Sequence, residues 1–197
     1  MAIIHPVQNA NGAQAVQSAL HHLALGSQLP HGIESAPALA TSQGHRCYVF
    51  SLEQLSRGDD LSAATLAAMR YLLVSNSASL ADVEFTEHPG GQLEFASLNL
   101  GPMANATLDA LTQLEQDTAV RANDYELRLL KIPSMHLVAV WLHHSQREDL
   151  VFPIAPTPAA VAAHRRYTES ELLAALAPEA QRLLKAFRSD PSGSLAR

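Results

Sequence analysis

Residues 125–154 read YELRLLKIPSMHLVAVWLHHSQREDLVFPI, and they decide the fold because three strand-like segments and the only tryptophan lie within this stretch. Residues 137–142 are apolar throughout, which is typical of a central strand whose sheet is covered on both faces. Pro153 marks the third segment as an edge or terminal strand, because proline cannot donate a hydrogen bond to a ladder. We therefore expect three strands of one sheet, with helices or a second subunit covering both faces of the middle one.

The turn between the first two of these strands contains Pro133. Two-residue hairpin turns favour positive φ, which proline cannot adopt. A wider turn or a bulge is therefore expected over residues 132–135.

Upstream of this stretch, strand and helix patterns alternate. Residues 46–52 read as a strand, and residues 83–95 as a β-hairpin around His88, Pro89, Gly90 and Gly91. Asp59 or Asp60 can cap a helix that runs to Asn76, and Pro102 precedes a helix from Met103 to about Val120. These patterns predict a further three strands and two helices.

Helices are also predicted at both ends of the chain. An N-terminal helix ends near Gly26, Thr168 and Glu171 form a capping box for another, and Pro178 begins a last one. The positions expected to face inward are Val16, Leu20 and Leu23 in the first helix; Leu66, Met69 and Leu73 in the second; Leu108, Leu111 and Leu114 in the third; and Leu172, Leu173, Leu176, Leu183, Leu184 and Phe187 in the last two.

The predicted fold class is α+β: a mostly antiparallel sheet of five to six strands packed with helices, plus an N-terminal helical arm. Residues 1–44 form the arm and a linker, residues 45–190 the α+β domain, and residues 191–197 a frayed tail. A lone amphipathic helix is marginal in water, so the arm should pack on the main domain or on another subunit.

Composition excludes several function classes. With 47% hydrophobic and 16% charged residues, the chain resembles neither a disordered acidic protein nor a membrane protein. The N-terminus lacks a secretory pattern, so a cytoplasmic location is expected. A net charge of −6 with only two lysines argues against nucleic acid as a partner.

The ten histidines suggest metal chemistry, but their spacing does not support a local site. No two are separated by two, three or four residues, so the pairings that place two imidazoles on one helix or strand face are absent. A site assembled from distant segments, such as His88 with His143 and Asp149, stays open. We predict no bound metal and no cofactor.

Other catalytic patterns are weak. Glycine-rich phosphate loops, the GxSxG elbow and HExxH are absent. Ser134 with His136 could be drawn as a nucleophile and base, but the pair lacks an acid and an oxyanion hole, and a turn serine is the simpler reading. Cys47 is predicted to be a buried, inert thiol, the alternative being a nucleophile activated by His45.

Trp141 has two readings. Its ring either seals a core layer or, with His143 and a helix, bounds a pocket for a small apolar or aromatic ligand or a partner peptide. The candidate ligand-binding residues are Trp141, His143, His88, His136 and Asp149.

Two functions follow from these patterns. The first is a non-enzymatic cytoplasmic binding or self-association module, dimeric through the arm or the apolar sheet. The alternative is a hydrolase-like enzyme with a histidine and carboxylate site assembled from His88, His136, His143 and Asp149.

Overall fold

The computed structural model describes residues 3–4, 9, 11–26, 28–29, 33, 39–42, 44–75 and 78–189. The predicted frayed tail, residues 191–197, and much of the predicted linker lie outside these residues. The strands are β1 (Ile3–Ile4), β2 (Ala40–Thr41), β3 (His45–Val49), β4 (Thr65–Ser75), β5 (Ala78–Glu87), β6 (Leu93–Leu100), β7 (Tyr125–Ile132), β8 (Leu137–His143), β9 (Leu150–Ile154) and β10 (Tyr167–Thr168). The helices are α1 (Gly12–Leu25), α2 (Leu52–Arg57), α3 (Pro102–Gln116), α4 (Thr118–Arg121) and α5 (Glu169–Ser189).

All of these strands belong to one mixed sheet. Its main order is β10-β9-β8-β7-β3-β4-β5-β6, while β1 pairs with β7 and β2 pairs with β4. The α+β class is confirmed, but the sheet is larger than the predicted five to six strands. It is also mixed, because β1 and β3 both run parallel to β7.

Helices cover both faces of this sheet. On one face, here called the α5 face, α5 and α2 pack over β7, β8 and β9 around the buried Trp141. The opposite face, the α3 face, carries α3 and α4 over the same strands. Both faces of β8 are therefore covered from within the chain, as its apolar sequence predicts.

Helix α1 covers the other half of the α5 face. Its Val16 and Leu20 pack with Met69, Tyr71 and Phe85 of β4 and β5. Met69 belongs to this layer and its neighbour Ala68 to the α3 layer, and adjacent strand residues point to opposite faces. On this face the α1 layer and the α5 layer therefore lie side by side, and the boundary between them lies over β3 and the Arg128 end of β7.

The predicted helix over residues 59–76 is wrong: this segment forms a short 3₁₀ turn and then β4. Residues 68–73 of β4 are all buried, so the period of two that marks a half-exposed strand is missing. Leu66, predicted to be buried, is exposed.

The remaining elements differ from prediction in smaller ways. The 83–95 hairpin is confirmed and longer, and Pro133 lies in a 3₁₀ turn. The strand predicted to run to residue 52 ends at Val49, because a Ser51–Gln54 capping box begins α2 there. Helix α3 ends at Gln116 and a separate short helix follows.

The two predicted C-terminal helices are one continuous helix. The Thr168–Glu171 capping box is confirmed at its start, but Pro178 lies inside α5 rather than at the first turn of another helix. Leu172 and Leu176 are buried as predicted, whereas Phe187 is exposed.

Cys47 is fully buried between β4 and β7. Burial is the largest of the effects that raise the pKa of its thiol to about 12. The inert reading of Cys47 fits this environment, since the reactive species is the thiolate.

Candidate functional site

The carboxylate of Asp149 joins several side chains at the end of β8. It accepts a hydrogen bond from Trp141 Nε1 at 2.6 Å and from the backbone N–H of His144 at 2.8 Å. His143 Nδ1 lies 2.9 and 3.1 Å from its two oxygens. Asp149 is buried, and these donors supply the hydrogen bonds that a buried carboxylate requires.

This geometry fixes the tautomer of neutral His143. An ionised carboxylate only accepts hydrogen bonds, so Nδ1 carries the proton and Nε2 has a free lone pair. The His143 side chain is 33% exposed, compared with 8% for Asp149. Asp149 therefore orients an imidazole that solutes can reach from solvent.

Arg128 of β7 is held on the same face by aromatic rings. Its guanidinium carbon lies 4.8 Å from the Trp141 ring centroid and 5.0 Å from that of Tyr48. Its Nη2 donates to Glu126 Oε2 at 2.7 Å. The cation–π contacts and the charged hydrogen bond together restrict Arg128 to one position. We call Tyr48, Arg128, Trp141, His143 and Asp149 the Trp141 cluster.

A second arginine lies beside Arg128. Arg46 of β3 is its register partner across the parallel β3–β7 pair, so their Cα atoms are about 5 Å apart. The only ion pair formed by Arg46 within the described residues is with Glu87, at 3.6 Å, which is beyond hydrogen-bonding distance. The two arginine side chains therefore start from neighbouring backbone positions on the α5 face, from which Arg46 reaches towards Glu87 of β5 and Arg128 is held against Tyr48 and Trp141.

Three polar atoms at this position lack hydrogen-bond partners among the described residues. They are Arg46 Nε, Arg128 Nε and Glu126 Oε1, and each is itself buried. Buried polar atoms in proteins are nearly always paired, so such a group indicates a place for water or a ligand. Two of these atoms are donors and one is an acceptor.

Glu169 is the first residue of α5 and contacts the cluster through Asp149. Burial raises the pKa of its carboxyl, and the nearby charges of Asp149, Asp60 and Glu148 raise it further, against a lowering hydrogen bond from the Leu61 N–H. The backbone N–H of Glu169 donates to the Asp149 carbonyl, which ties α5 to the cluster.

The predicted site residues divide into two groups. Trp141, His143 and Asp149 are in contact, but His88 and His136 are elsewhere. His88 lies in the β5–β6 turn and contacts Glu94 at 2.7 Å, and His136 lies in the β7–β8 turn, at the opposite end of β8 from His143. Across the described ranges, no three His, Cys, Asp or Glu side chains gather as metal ligands.

Ser134 and His136 line a groove of about 410 Å³, but no hydrogen bond joins them. Ser134 Oγ is buried without a partner among the described residues. The nucleophile-and-base interpretation of this pair therefore has no geometric support.

Another groove, of about 620 Å³, lies away from the Trp141 cluster, between α1 and the β5–β6 hairpin. Ala19, Leu23, Phe85 and Phe95 supply much of its apolar lining, and His22 is the one titratable residue among the described residues that line it. The groove offers apolar contact but no strong charge, so the convergent polar chemistry lies at the Trp141 cluster.

Comparisons with protein-family models, with curated proteins and with solved structures found no match to this chain. In the part of the chain that the structure describes, no helix is long and apolar enough to cross a membrane.

The residues predicted from the sequence to bind a ligand did not include Tyr48, Arg128, Glu126 or Arg46. A signal was present, because Glu126 and Arg128 place two opposite charges two residues apart, on one face of a strand whose only other charge is Lys131. The sequence could not show that Arg46 and Tyr48 lie beside them, since the parallel pairing of β3 with β7 joins segments far apart in sequence.

Proposed function

We propose that this chain is a cytoplasmic, non-enzymatic binding protein that holds a small molecule with both an acidic and a basic group, in the manner of an α-amino acid, at the Trp141 cluster. The observation that supports this proposal is that, among the described residues, two guanidinium Nε donors and one carboxylate acceptor on neighbouring positions of β3 and β7 have no hydrogen-bond partner.

The charges at this position favour a ligand without net charge. Arg46 and Arg128 are matched by Glu87 and Glu126, so a simple anion would meet as many carboxylates as guanidinium groups. A ligand carboxylate can pair with the guanidinium group of Arg46, whose side chain is 37% exposed, since arginine is suited to carboxylate recognition. An ammonium or hydroxyl group on the same ligand can pair with the carboxylate of Glu126, whose side chain is 26% exposed.

Trp141 supports the site rather than lining it. It is only 2% exposed, so it cannot offer much surface to a ligand. Its ring holds the Arg128 guanidinium, and its Nε1 holds Asp149, which in turn orients His143. This arrangement is the preorganisation that reduces the entropy cost of binding.

Isothermal titration calorimetry tests the proposal directly. Individual α-amino acids serve as probes, with acetate and methylamine as controls that carry only one of the two groups. We expect saturable heat from at least one amino acid and from neither control. If no amino acid gives saturable heat, the proposal is wrong.

Two variants with a matched control locate the site. Glu126→Gln and Arg46→Gln should each raise the Kd by about tenfold or more, because each leaves a ligand group without its charged partner. Arg182→Gln removes an arginine from an exposed ion pair on α5 and should leave the Kd unchanged. An equal rise of the ligand Kd in all three variants would argue against this site.

The second candidate function is the hydrolase-like enzyme, and the His143–Asp149 contact favours it. Asp149 holds Nδ1 and exposes Nε2, which is the arrangement of a general base. The probe reactions are hydrolysis of p-nitrophenyl acetate and of p-nitrophenyl phosphate. A turnover that disappears in both His143→Gln and Asp149→Asn, while Arg182→Gln retains it, would favour the enzyme over the binding protein.

A further inference from the structure

Strand β6 ends the sheet on the side away from the Trp141 cluster. Within the described residues it pairs only with β5, so the backbone groups of its outer edge have no strand partner. Its eight residues extend about 27 Å. At the other end of the sheet, the edge strand β10 has only two residues.

The β6 edge lacks the features that commonly protect a sheet edge. Exposed edges usually carry proline, lysine or several charges, which discourage pairing with another chain. The sequence of β6, LEFASLNL, contains no proline and no lysine. Its one charged side chain, Glu94, is 2.7 Å from His88 of the same hairpin.

A bulge at Ala96 gives β6 a symmetric pattern of faces. Glu84 pairs with Ser97 and Phe85 with Phe95, so Ala96 has no partner on β5. Leu93, Phe95, Leu98 and Leu100 fall on the α5 face, in the half covered by α1, where Phe95 and Leu100 are 39% and 50% exposed. Glu94, Ser97 and Asn99 fall on the opposite face, beside Thr86, Glu84 and Asp82.

We propose that the β6 edge is a self-association surface, on which the β6 strand of a second copy of this chain pairs antiparallel about a two-fold axis between Ala96 and Ser97. An axis perpendicular to the sheet keeps the α5 faces of both copies on the same side. Leu93 then lies opposite Leu100 of the copy, and Phe95 opposite Leu98. Both exposed apolar side chains are covered.

Charge complementarity supports a second copy over an unrelated strand. In this register each Glu94 lies opposite Asn99, so a neutral amide and not a second carboxylate faces it, and the two Glu94 side chains do not face each other. Opposed like charges destabilise paired strands, whereas a complementary pair contributes favourably. The pattern of apolar against apolar and polar against polar follows from the sequence of β6 alone.

This surface is independent of the proposed ligand site. The Trp141 cluster is built on β3, β7, β8 and the segment before β9, and the interface on β6. Loss of one function therefore leaves the other measurable.

Crosslinking of the full-length chain tests the register. Ala96 is exposed and lies next to the axis, diagonally across from Ala96 of the copy, so Ala96→Cys should bring two thiols within disulfide distance. Under mild oxidation we expect a disulfide-linked dimer, whereas Gln113→Cys, at an exposed position of α3, should stay mostly monomeric. The native Cys47 does not interfere because it is buried.

Sedimentation equilibrium over about a hundredfold range of protein concentration tests the association itself. Wild-type protein should show a concentration-dependent monomer–dimer equilibrium, and Leu100→Lys should raise the dimer Kd by about tenfold or more. Phe187→Lys places the same change on an exposed apolar residue of α5 and should not alter the Kd. A wild-type monomer at every concentration, a dimer that tolerates Leu100→Lys, or equal crosslinking of both cysteine variants would overturn the proposal.

Discussion

At the β7–β9 end of the sheet, helices cover both faces and Trp141 is almost completely buried, whereas at the β6 end Phe95 and Leu100 stay partly exposed. Both ends contain aromatic residues on the α5 side of the sheet. The difference lies in what covers them. At the covered end burial holds polar groups in fixed positions, and at the open end an apolar strand is left available for contact.

Polar groups show the same contrast. Asp149 is buried and has three donors, while Glu94 is exposed and pairs, among the described residues, with His88 alone. In a buried site a hydrogen bond is stronger and its loss costs more. We therefore expect the same type of substitution to have different effects at the two ends.

The largest expected effect is that of Trp141→Ala. It removes a buried ring, its contact with Arg128 and a donor to Asp149, so it should lower the free energy of unfolding by about 3–5 kcal/mol. Phe95→Ala at the open end should lower it by less than about 2 kcal/mol, because part of that ring is already in water. Urea denaturation followed by circular dichroism gives both values. If both variants lowered the free energy of unfolding equally, the covered end and the open end would not differ in the burial of their aromatic rings.

Asp149→Asn should have the next largest effect, about 1.5–3 kcal/mol. The amide keeps the shape of the side chain but turns one acceptor into a donor, which then faces the N–H groups of Trp141 or His143. Glu94→Gln is the matched change at the open end and should stay within about 0.5 kcal/mol. The contrast fails if Glu94→Gln costs as much as Asp149→Asn in the same denaturation experiment.

Thr168→Ala should cost about 1 kcal/mol. Its hydroxyl accepts from the Glu171 N–H, while the Glu171 carboxylate accepts from the Thr168 N–H, so the change removes half of the box that begins α5. Thr112→Ala, which removes an exposed hydroxyl within α3, is the control. A thermal melt in which both variants lose equal stability would contradict the importance of this cap for the covered end.

The smallest expected effect is a pH dependence caused by Glu169. Burial raises its folded pKa above the unfolded value, so the folded state binds the proton more tightly. Stability from this group is present below the unfolded pKa and is lost as pH rises through the folded one. Glu169→Gln should therefore make stability less dependent on pH in the mildly acidic range. Urea denaturation at several pH values measures this, and an unchanged pH profile would contradict it.

How far the sequence predicts this fold depends on where each element's partners lie. Strands β7, β8 and β9 could be identified because their apolar runs are bounded by turn residues and joined by short connections. β4 could not, because it is buried on both faces and its apolar residues also fit a helical period. The parallel contact between β3 and β7 has no local signal.

The candidate site divides in the same way. Trp141, His143 and Asp149 lie within nine residues. The sequence could therefore indicate all three as ligand-binding candidates before their contacts were known. Arg128 and Tyr48 join them only through the β3–β7 pairing. Exclusion of His88 and His136 also required the sheet order, since it places their turns away from the end of β8 that holds Asp149.

The fluorescence of Trp141, the chain's only tryptophan, tests most directly whether the covered end binds a ligand. Its ring contacts Arg128, so ligand binding to that guanidinium should change its emission. We predict a saturable change when an α-amino acid is added to the wild-type protein, and a weaker response in Glu126→Gln. Emission that stays constant for every amino acid, or that changes identically in Glu126→Gln, would contradict the account.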